Sequence, residues 1–465
     1  MDIKFCGAAQ TVTGSCFLLK LTSGQQILID CGLYQGGDHN FKNFNEEWNF
    51  DPKQIDALIL THAHIDHSGR IPKLVKDGFK GNIYCTNATR NLCRIMLADS
   101  AYIQEREAEQ DNRKRQPEQE KVQPLYTVKD AEKAMLQFVG MGYERWFELF
   151  EDCSFRFQDA GHILGSASVA MQIKENGKIK KIGFTGDIGR PDRPLLKDPV
   201  PIPAVDYLVC ESTYGAKLHY TMREDQKELL SIIQKVCIKG QGKLIIPAFS
   251  IGRTQEIVYL LNELEMKDQL PKIPIYVDSP LAINATNIYL MHPECFDQET
   301  HDILEVDPNP LGFKGLKYTR NVEESKAIND HKGPAIIISA SGMMTAGRIR
   351  HHVYNKIEDP KNAFLIVGFC APGTLGRILS DGAKEIKIMG ETKKVNAQIL
   401  QMNSFSAHGD QKEMIDFLKL QDKSALKEIF LVHGEIDRQE VFARALRKNG
   451  FQKVSIPSLN ENVRV

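Results

Sequence analysis

The chain reads as an α/β protein of two or three domains. Up to about residue 87, short apolar strands alternate with turns rich in Gly, Asn and Asp. From Pro201-Ile202-Pro203 onward, uninterrupted apolar strands alternate with helical stretches, the pattern of a mostly parallel sheet covered on both faces. After about residue 395 come two His-bearing strand ends, at His408 and His433, each followed by a helix. A length of 465 residues also exceeds what one ordinary core organises.

Element by element, Gln26-Ile27-Leu28-Ile29 is expected as a strand ending at Asp30, and Ala57-Leu58-Ile59-Leu60 as a buried strand. Residues 88–150 are expected to be helical, with the charged stretch Gln104 to Gln123 a solvated helix face or a loop. A β stretch comes next, around 154–185. In it, Ser168-Val169-Ala170-Met171 and Ile179 to Phe184 flank Glu175-Asn176-Gly177, a hairpin signal. The second half offers Tyr207-Leu208-Val209, Leu244-Ile245-Ile246, Ile275-Tyr276-Val277, Ala335-Ile336-Ile337-Ile338 and Phe364-Leu365-Ile366-Val367 as strands. Helices are expected around 222–238, 252–266 and 346–357.

Hydrophobic residues at 42% and charged residues at 26% give the balance of a soluble globular protein. No apolar run reaches the roughly eighteen residues of a membrane span. The opening Met1-Asp2-Ile3-Lys4-Phe5-Cys6 lacks the order of a secretory signal, and the ten cysteines show no two-residue pairing gap. Cys31, Cys210 and Cys370 sit in or beside apolar runs as reduced thiols, so a cytoplasmic location is expected. A formal net charge of −1 argues against a nonspecific, histone-like grip on nucleic acid, but leaves room for a local basic groove.

The chemistry concentrates in His62-Ala63-His64-Ile65-Asp66-His67, directly after an apolar strand. In an extended segment alternate side chains point the same way, so His62 and His64 can grip one ion. Asp66 and His67, where the chain turns, are free to face a second. Imidazole with carboxylate suits zinc better than calcium or magnesium, and the whole outlines a two-metal hydrolytic site. Further donors stand at strand ends: His162 in Gly161-His162-Ile163-Leu164-Gly165-Ser166, Asp187 in Phe184-Thr185-Gly186-Asp187, and His433 in Leu431-Val432-His433-Gly434-Glu435. A strand-end Asp before Gly is ordinarily a turn residue, but beside the first cluster these complete a ligand set of the right size.

The order Asp30, then HxHxDH, then His162, then Asp187 resembles the metallo-β-lactamase superfamily. Glu211-Ser212-Thr213-Tyr214-Gly215, Ser406-Ala407-His408-Gly409-Asp410 and Val432-His433-Gly434-Glu435 are similar to its β-CASP ribonuclease branch, which includes the pre-mRNA 3′-end cleavage endonuclease and its prokaryotic relatives. The resemblance implies an αββα sandwich interrupted by an inserted β-CASP domain on a mostly parallel sheet. Its expected boundaries are 1–202 and 395–465 for the sandwich and 203–394 for the insertion. It further implies that His62, His64 and His162 hold one zinc ion and Asp66, His67 and His433 another, with Asp187 between them. Asp30 would orient ligands rather than bind metal, although an Asp capping a turn remains open there. With the first strand in its opening residues, the chain resembles the compact prokaryotic form, without upstream KH-type modules.

The activity that the resemblance implies is zinc-dependent RNA hydrolysis, in RNA processing or decay. Two cations about 3.5–4 Å apart make hydroxide available near neutral pH, and Asp66 counts among the catalytic groups as well as the ligands. His408 would protonate the departing ribose oxygen, with Glu211 orienting its imidazole and raising its pKa; a turn-capping carboxylate is the plainer reading of Glu211. For the RNA strand, three Gly-rich strand-to-helix turns resemble family elements of the RNA groove and place Arg253, Ser339, Ser341, Arg348 and Arg377 as substrate contacts. His351 and His352, on the helix after Gly347, fit solvent equally well. RNA is favoured over DNA because His at position 433 accompanies RNA-processing members. The alternatives are a thioesterase- or lactonase-type hydrolase and an inactive RNA-binding scaffold. No membrane partner is expected; internal against 5′-end cleavage and a homo-oligomer stay open.

Overall fold

The computed structural model describes all residues except 37–42, 117, 219–222, 369, 372 and 403–406, together with the side chains at 223–225. Ser406 of the His408 segment therefore lies outside the described residues. The chain divides into two compact units. The first holds Met1–Pro191, Asp198–Leu218 and His408–Val465; the second holds Asp192–Lys197 and His219–Ala407.

In chain order the first unit opens with strands β1 (Asp2–Phe5), β2 (Phe17–Lys20), β3 (Gln26–Ile29), β4 (Ala57–Ile59), β5 (Asn82–Thr86) and β6 (Phe138–Met141). Next come β7 (Trp146–Phe150), β8 (Cys153–Asp159), β9 (Ala167–Glu175), β10 (Lys178–Phe184) and β11 (Tyr207–Glu211). The second unit supplies β12 (Lys243–Pro247), β13 (Ile275–Val277), β14 (Leu316–Tyr318), β15 (Ala335–Ser339), β16 (Ala363–Ile366), β17 (Glu385–Ile388), β18 (Glu391–Lys394) and β19 (Gln398–Gln401). The chain then returns to the first unit for β20 (Glu428–Val432), β21 (Val454–Ser455) and β22 (Asn462–Arg464).

Two seven-stranded sheets form the first unit, in the orders β22-β1-β2-β3-β4-β5-β6 and β21-β20-β11-β10-β9-β8-β7. Each pairs antiparallel through one half and parallel through the other. Strand periodicity decides what each sheet buries. On β11 and β20, Val209, Phe430 and Val432 point into a core shared with Phe5, Phe17, Phe155 and Phe184. Their neighbours Leu208, Cys210, Ile429 and Leu431 point the other way, onto Met414, Leu418, Phe442 and Leu446 of the helices Gln411–Leu418 and Ile436–Lys448. The β9–β10 hairpin turns at Asn176 and Gly177, whose φ values of 51° and 76° are the left-handed pair a two-residue turn demands.

The second unit carries an all-parallel sheet in the order β14-β13-β15-β12-β16-β19. Ile245, Ile337 and Phe364 on one face pack with Ile349 and Val353 of the helix Ile349–Lys356.

Two expectations are corrected. Residues 138–150, expected to be helical, form most of β6 and β7; these are the edge strands of their sheets, short and only partly buried, with Trp146 exposed. The strand at Tyr207 belongs to the first unit, between β10 and β20, and β19 belongs to the second, so the compact units change over near 218 and 407 instead of 202 and 395. An uninterrupted apolar strand signals burial on both faces, and β11 meets that condition in the first unit as well as it would in the second. The stretch that would lead as a strand into His408, residues 403–406, lies outside the described residues; His408 itself makes an antiparallel bridge to Gly189.

Candidate metal centre

The C-terminal ends of β3, β4, β8, β10, β11 and β20 carry Asp30, His62, His162, Asp187, Glu211 and His433 respectively. A single helical turn, Ile65–Ser68, adds Asp66 and His67 just past His64. That turn is clamped: the Ser15 N–H donates to Asp66 O at 2.8 Å and the Cys31 N–H to His67 O at 2.7 Å. A Cβ on Gly32 would stand 1.6 Å from Asp66 O, so only glycine admits this approach. His433 holds a left-handed φ of 52°, fixed by its N–H donating to Ala8 O at 2.8 Å.

The donor atoms fall into two groups. His62, His64, His162 and Asp187 offer atoms all within 4.8 Å of one another, and so do Asp66, His67 and His433. In the first, His64 Nδ1 lies 3.1 Å from His62 Nε2 and 3.2 Å from His162 Nε2. In the second, His433 Nε2 lies 3.2 Å from His67 Nε2 and 3.3 Å from Asp66 Oδ2. Asp187 faces both: Oδ2 is 3.4 Å from His62 Nε2, while Oδ1 is 3.3 Å from His67 Nε2. Oδ1 is buried, and His433 Nδ1 lies 3.6 Å from it as well.

These residues fit a cation pair. Nitrogen ligands about 2.0–2.1 Å from a tetrahedral zinc stand about 3.3 Å from one another, close to the spacings here. Burial, then His67, pushes the His62 pKa well down, and burial brings His64 to about 4, so both imidazoles are neutral ligands at neutral pH. Burial opposes the charge on Asp66, yet His433 and His67 hold it at about 2. Asp187 is likewise kept ionised, against burial, by His433 and His67.

The far ring nitrogens are held from outside. His67 Nδ1 lies 2.7 Å from Asp30 Oδ2, whose carboxylate also accepts the Thr61 N–H at 2.8 Å and its hydroxyl at 2.9 Å. Thr61 Oγ1 is 3.1 Å from His62 Nδ1, and Thr213 Oγ1 is 2.9 Å from His433 Nδ1. Thr61 and Thr213 escaped the sequence reading; a hydroxyl directly before His62, and another two residues past Glu211, were the available signals.

A third group joins Asp187, Glu211 and His408. His408 Nδ1 is 3.1 and 3.2 Å from the two Glu211 oxygens and 3.9 Å from Asp187 Oδ2. The Glu211 carboxylate also accepts the Ile188 N–H at 2.6 Å and the Thr213 N–H at 3.3 Å. Burial opposes a charge on His408, but Glu211 and Asp187 outweigh it and raise the pKa to about 9.

The five residues expected to contact RNA are placed otherwise, all in the second unit. Arg253 is buried and paired with Glu256, which also binds Arg193 at 2.9 Å. The buried Ser339 hydroxyl donates to Asp278 O at 2.9 Å, and Ser341 Oγ closes its own loop by accepting the Thr345 N–H at 3.1 Å. Arg348 donates to Asp278 Oδ1 at 2.7 Å and Thr319 O at 3.1 Å. His352, far from solvated, is buried 2.7 Å from Asp278 Oδ2, whereas His351 is exposed. Arg377 is exposed and pairs with Asp381 at 2.9 Å. Arg253 and Arg377 pair with carboxylates three and four residues on along their own helices, and Arg348 with the distant Asp278. Arg253 and Ser339 are buried, Arg348 is half-buried and Arg377 is exposed.

The sandwich and its clustered donors define a metallo-hydrolase, and comparison with known families agrees. Residues 10–216 match the metallo-β-lactamase superfamily, 254–379 the Beta-Casp domain, and 392–457 the Zn-dependent metallo-hydrolase RNA specificity domain. The chain belongs to the β-CASP ribonuclease family of the metallo-β-lactamase superfamily and is a metal-dependent hydrolase of the nuclease kind.

Among its relatives, "Ribonuclease TTHA0252" of Thermus thermophilus is 34% identical over 100% of both chains. "Transcription termination factor FttA" of Methanocaldococcus jannaschii is 32% identical over 100% of this chain and 71% of its own. The "RNase J-like protein" of the same organism is 32% identical over 96% of this chain and 95% of its own. No helix among the described residues is long and apolar enough to cross a membrane.

Proposed function

We propose that this protein hydrolyses RNA phosphodiester bonds with two zinc ions, one held by His62, His64 and His162, the other by Asp66, His67 and His433. The observation that carries this is Asp187, one carboxylate facing both donor groups, with Oδ2 3.4 Å from His62 Nε2 and Oδ1 3.3 Å from His67 Nε2. When bound, the cations neutralise phosphate oxygens and lower the pKa of water towards neutrality. Asp30, Thr61 and Thr213 fix the imidazole tautomers so that each ligand nitrogen presents its lone pair inward. Glu211, its oxygens anchored by backbone N–H groups, holds the His408 ring by Nδ1 and leaves Nε2 to deliver a proton to the leaving ribose oxygen. RNA as substrate rests on the matched RNA specificity domain and on the names of the relatives. A reducing, cytoplasmic setting suits ten buried free thiols.

The test is incubation with labelled single-stranded RNA and, separately, with a thioester. RNA cleavage that stops on chelation and returns with zinc is expected. Thioester hydrolysis without RNA cleavage, or RNA binding by a protein that purifies without metal, would overturn the reading.

A further inference from the structure

In the second unit the chain leaves β12 through the helix Arg253–Met266 and crosses β15 to reach β13; from β15 it crosses the other way, over β12, to β16. Right-handed crossovers in opposite directions put the two connecting helices on opposite faces of the sheet. They therefore part between β12 and β15, and such a parting opens a crevice outside the C-terminal strand ends, where ligands of open α/β sheets bind.

Phe249 stands at that point. It lies two residues beyond the end of β12, and its ring is 40% exposed. Its backbone is pinned: the neighbouring Ala248 N–H donates to Ser339 O at 3.0 Å, and both the N–H and the hydroxyl of Thr254 donate to Phe249 O, at 3.3 and 2.8 Å. The ring edge rests on glycine. A Cβ on Gly342, just past β15, would meet Cδ2 and Cε2 at 3.0 Å, and one on Gly368, just past β16, would meet Cε2 at 4.0 Å. Among the described residues no aromatic ring packs on it, and it belongs to no core cluster. A single exposed apolar residue is ordinary; what sets Phe249 apart is its place past the strand ends on a pinned backbone, with two glycines beneath the ring edge.

We propose that Phe249 is a stacking platform for one nucleobase of a single-stranded RNA. The inference rests on the ribonuclease reading for its substrate class. An aromatic face accepts any base, so the contact adds affinity and positions the strand without demanding a sequence.

The test is fluorescence anisotropy with a short, labelled, phosphorothioate-linked single-stranded RNA, which separates binding from cleavage. Phe249→Ala and Phe249→Leu are expected to weaken binding about tenfold, the loss of one stacked base, while Phe249→Trp binds as the native protein does. Leu keeps an apolar contact with the glycines and lacks only the aromatic face. Abasic substitution, moved along the RNA one position at a time, should reproduce the loss at one position in the native protein and add nothing in Phe249→Ala. Native-like binding by Phe249→Leu or Phe249→Ala overturns the proposal. A native protein that fails to bind RNA overturns both readings. One that binds, and loses binding in Phe249→Ala, yet never cleaves unmodified RNA, overturns the nuclease reading and leaves the platform standing.

Discussion

Each unit buries a cluster of carboxylate and imidazole near the C-terminal ends of its strands, and the two clusters are built on opposite principles. In the second unit Asp278 is fully buried and accepts from Thr319 Oγ1 at 2.5 Å, Ser325 Oγ at 2.7 Å and Arg348 Nη1 at 2.7 Å, with His352 Nε2 at 2.7 Å. Every oxygen there has a partner from within the unit. In the first unit the inward nitrogens of His62, His64 and His162 face one another, and the Asp187 carboxylate lies between that group and His67. Burial of ionisable groups is common to both, and so is a buried atom without a partner among the described residues, His352 Nδ1 in the second unit, so neither marks a site. What marks it is the convergence of several ligand atoms on one another.

That contrast orders the variants. Asp187→Ala should have the largest effect: both donor groups lose their shared member, and elemental analysis is expected to show metal lost together with RNA cleavage. A fully loaded, active variant would end its bridging role. His408→Ala removes only the proton donor, so cleavage should fall by roughly 10²–10⁴-fold while bound metal stays near its native level. Loss of both ions would mean that His408 is a ligand.

Asp278→Ala should do the reverse, costing about 3 kcal/mol of second-unit stability by stranding the half-buried Arg348 and the buried His352, with metal content unchanged. Thermal melts beside metal analysis would show it. Acid should produce a related weakening in the native protein. Burial opposes a charge on Asp278, but His352 and the hydroxyls hold its pKa far down, while burial lowers that of His352. The unfolded chain therefore takes up protons that the folded unit refuses. Stability should decline as pH drops below about 6.5, the ordinary histidine value, and further below about 4. A flat profile over that interval would contradict the assignment. The smallest effect belongs to Arg377→Ala, an exposed pair worth at most about 0.5 kcal/mol, visible only as a slight shift in the same melts.

The same contrast explains how much the sequence disclosed. The donors at 62–67 sit in one short stretch with a period the eye can follow, and the remaining donors follow apolar strands, so the residues that cluster in the first unit were legible nearly whole. The β9–β10 hairpin was legible because Asn176-Gly177 dictates its own turn. The strands at 138–150 were not, since edge strands are half exposed and their apolar alternation is weak. The Arg253–Glu256 pair, three residues apart on one helix, was open to the eye and passed over, whereas the partner of Arg348 is Asp278, which no local pattern brings near. Phe249 was hidden for the opposite reason: just after an apolar strand it looks like core, and only the structure shows it exposed past the strand end.

Anomalous diffraction at the zinc edge, on crystals grown without chelators, tests the central claim most directly. Two peaks are expected, one among His62, His64 and His162 and one among Asp66, His67 and His433, with an Asp187 oxygen beside each. A single peak, or none within reach of His433, would contradict the account.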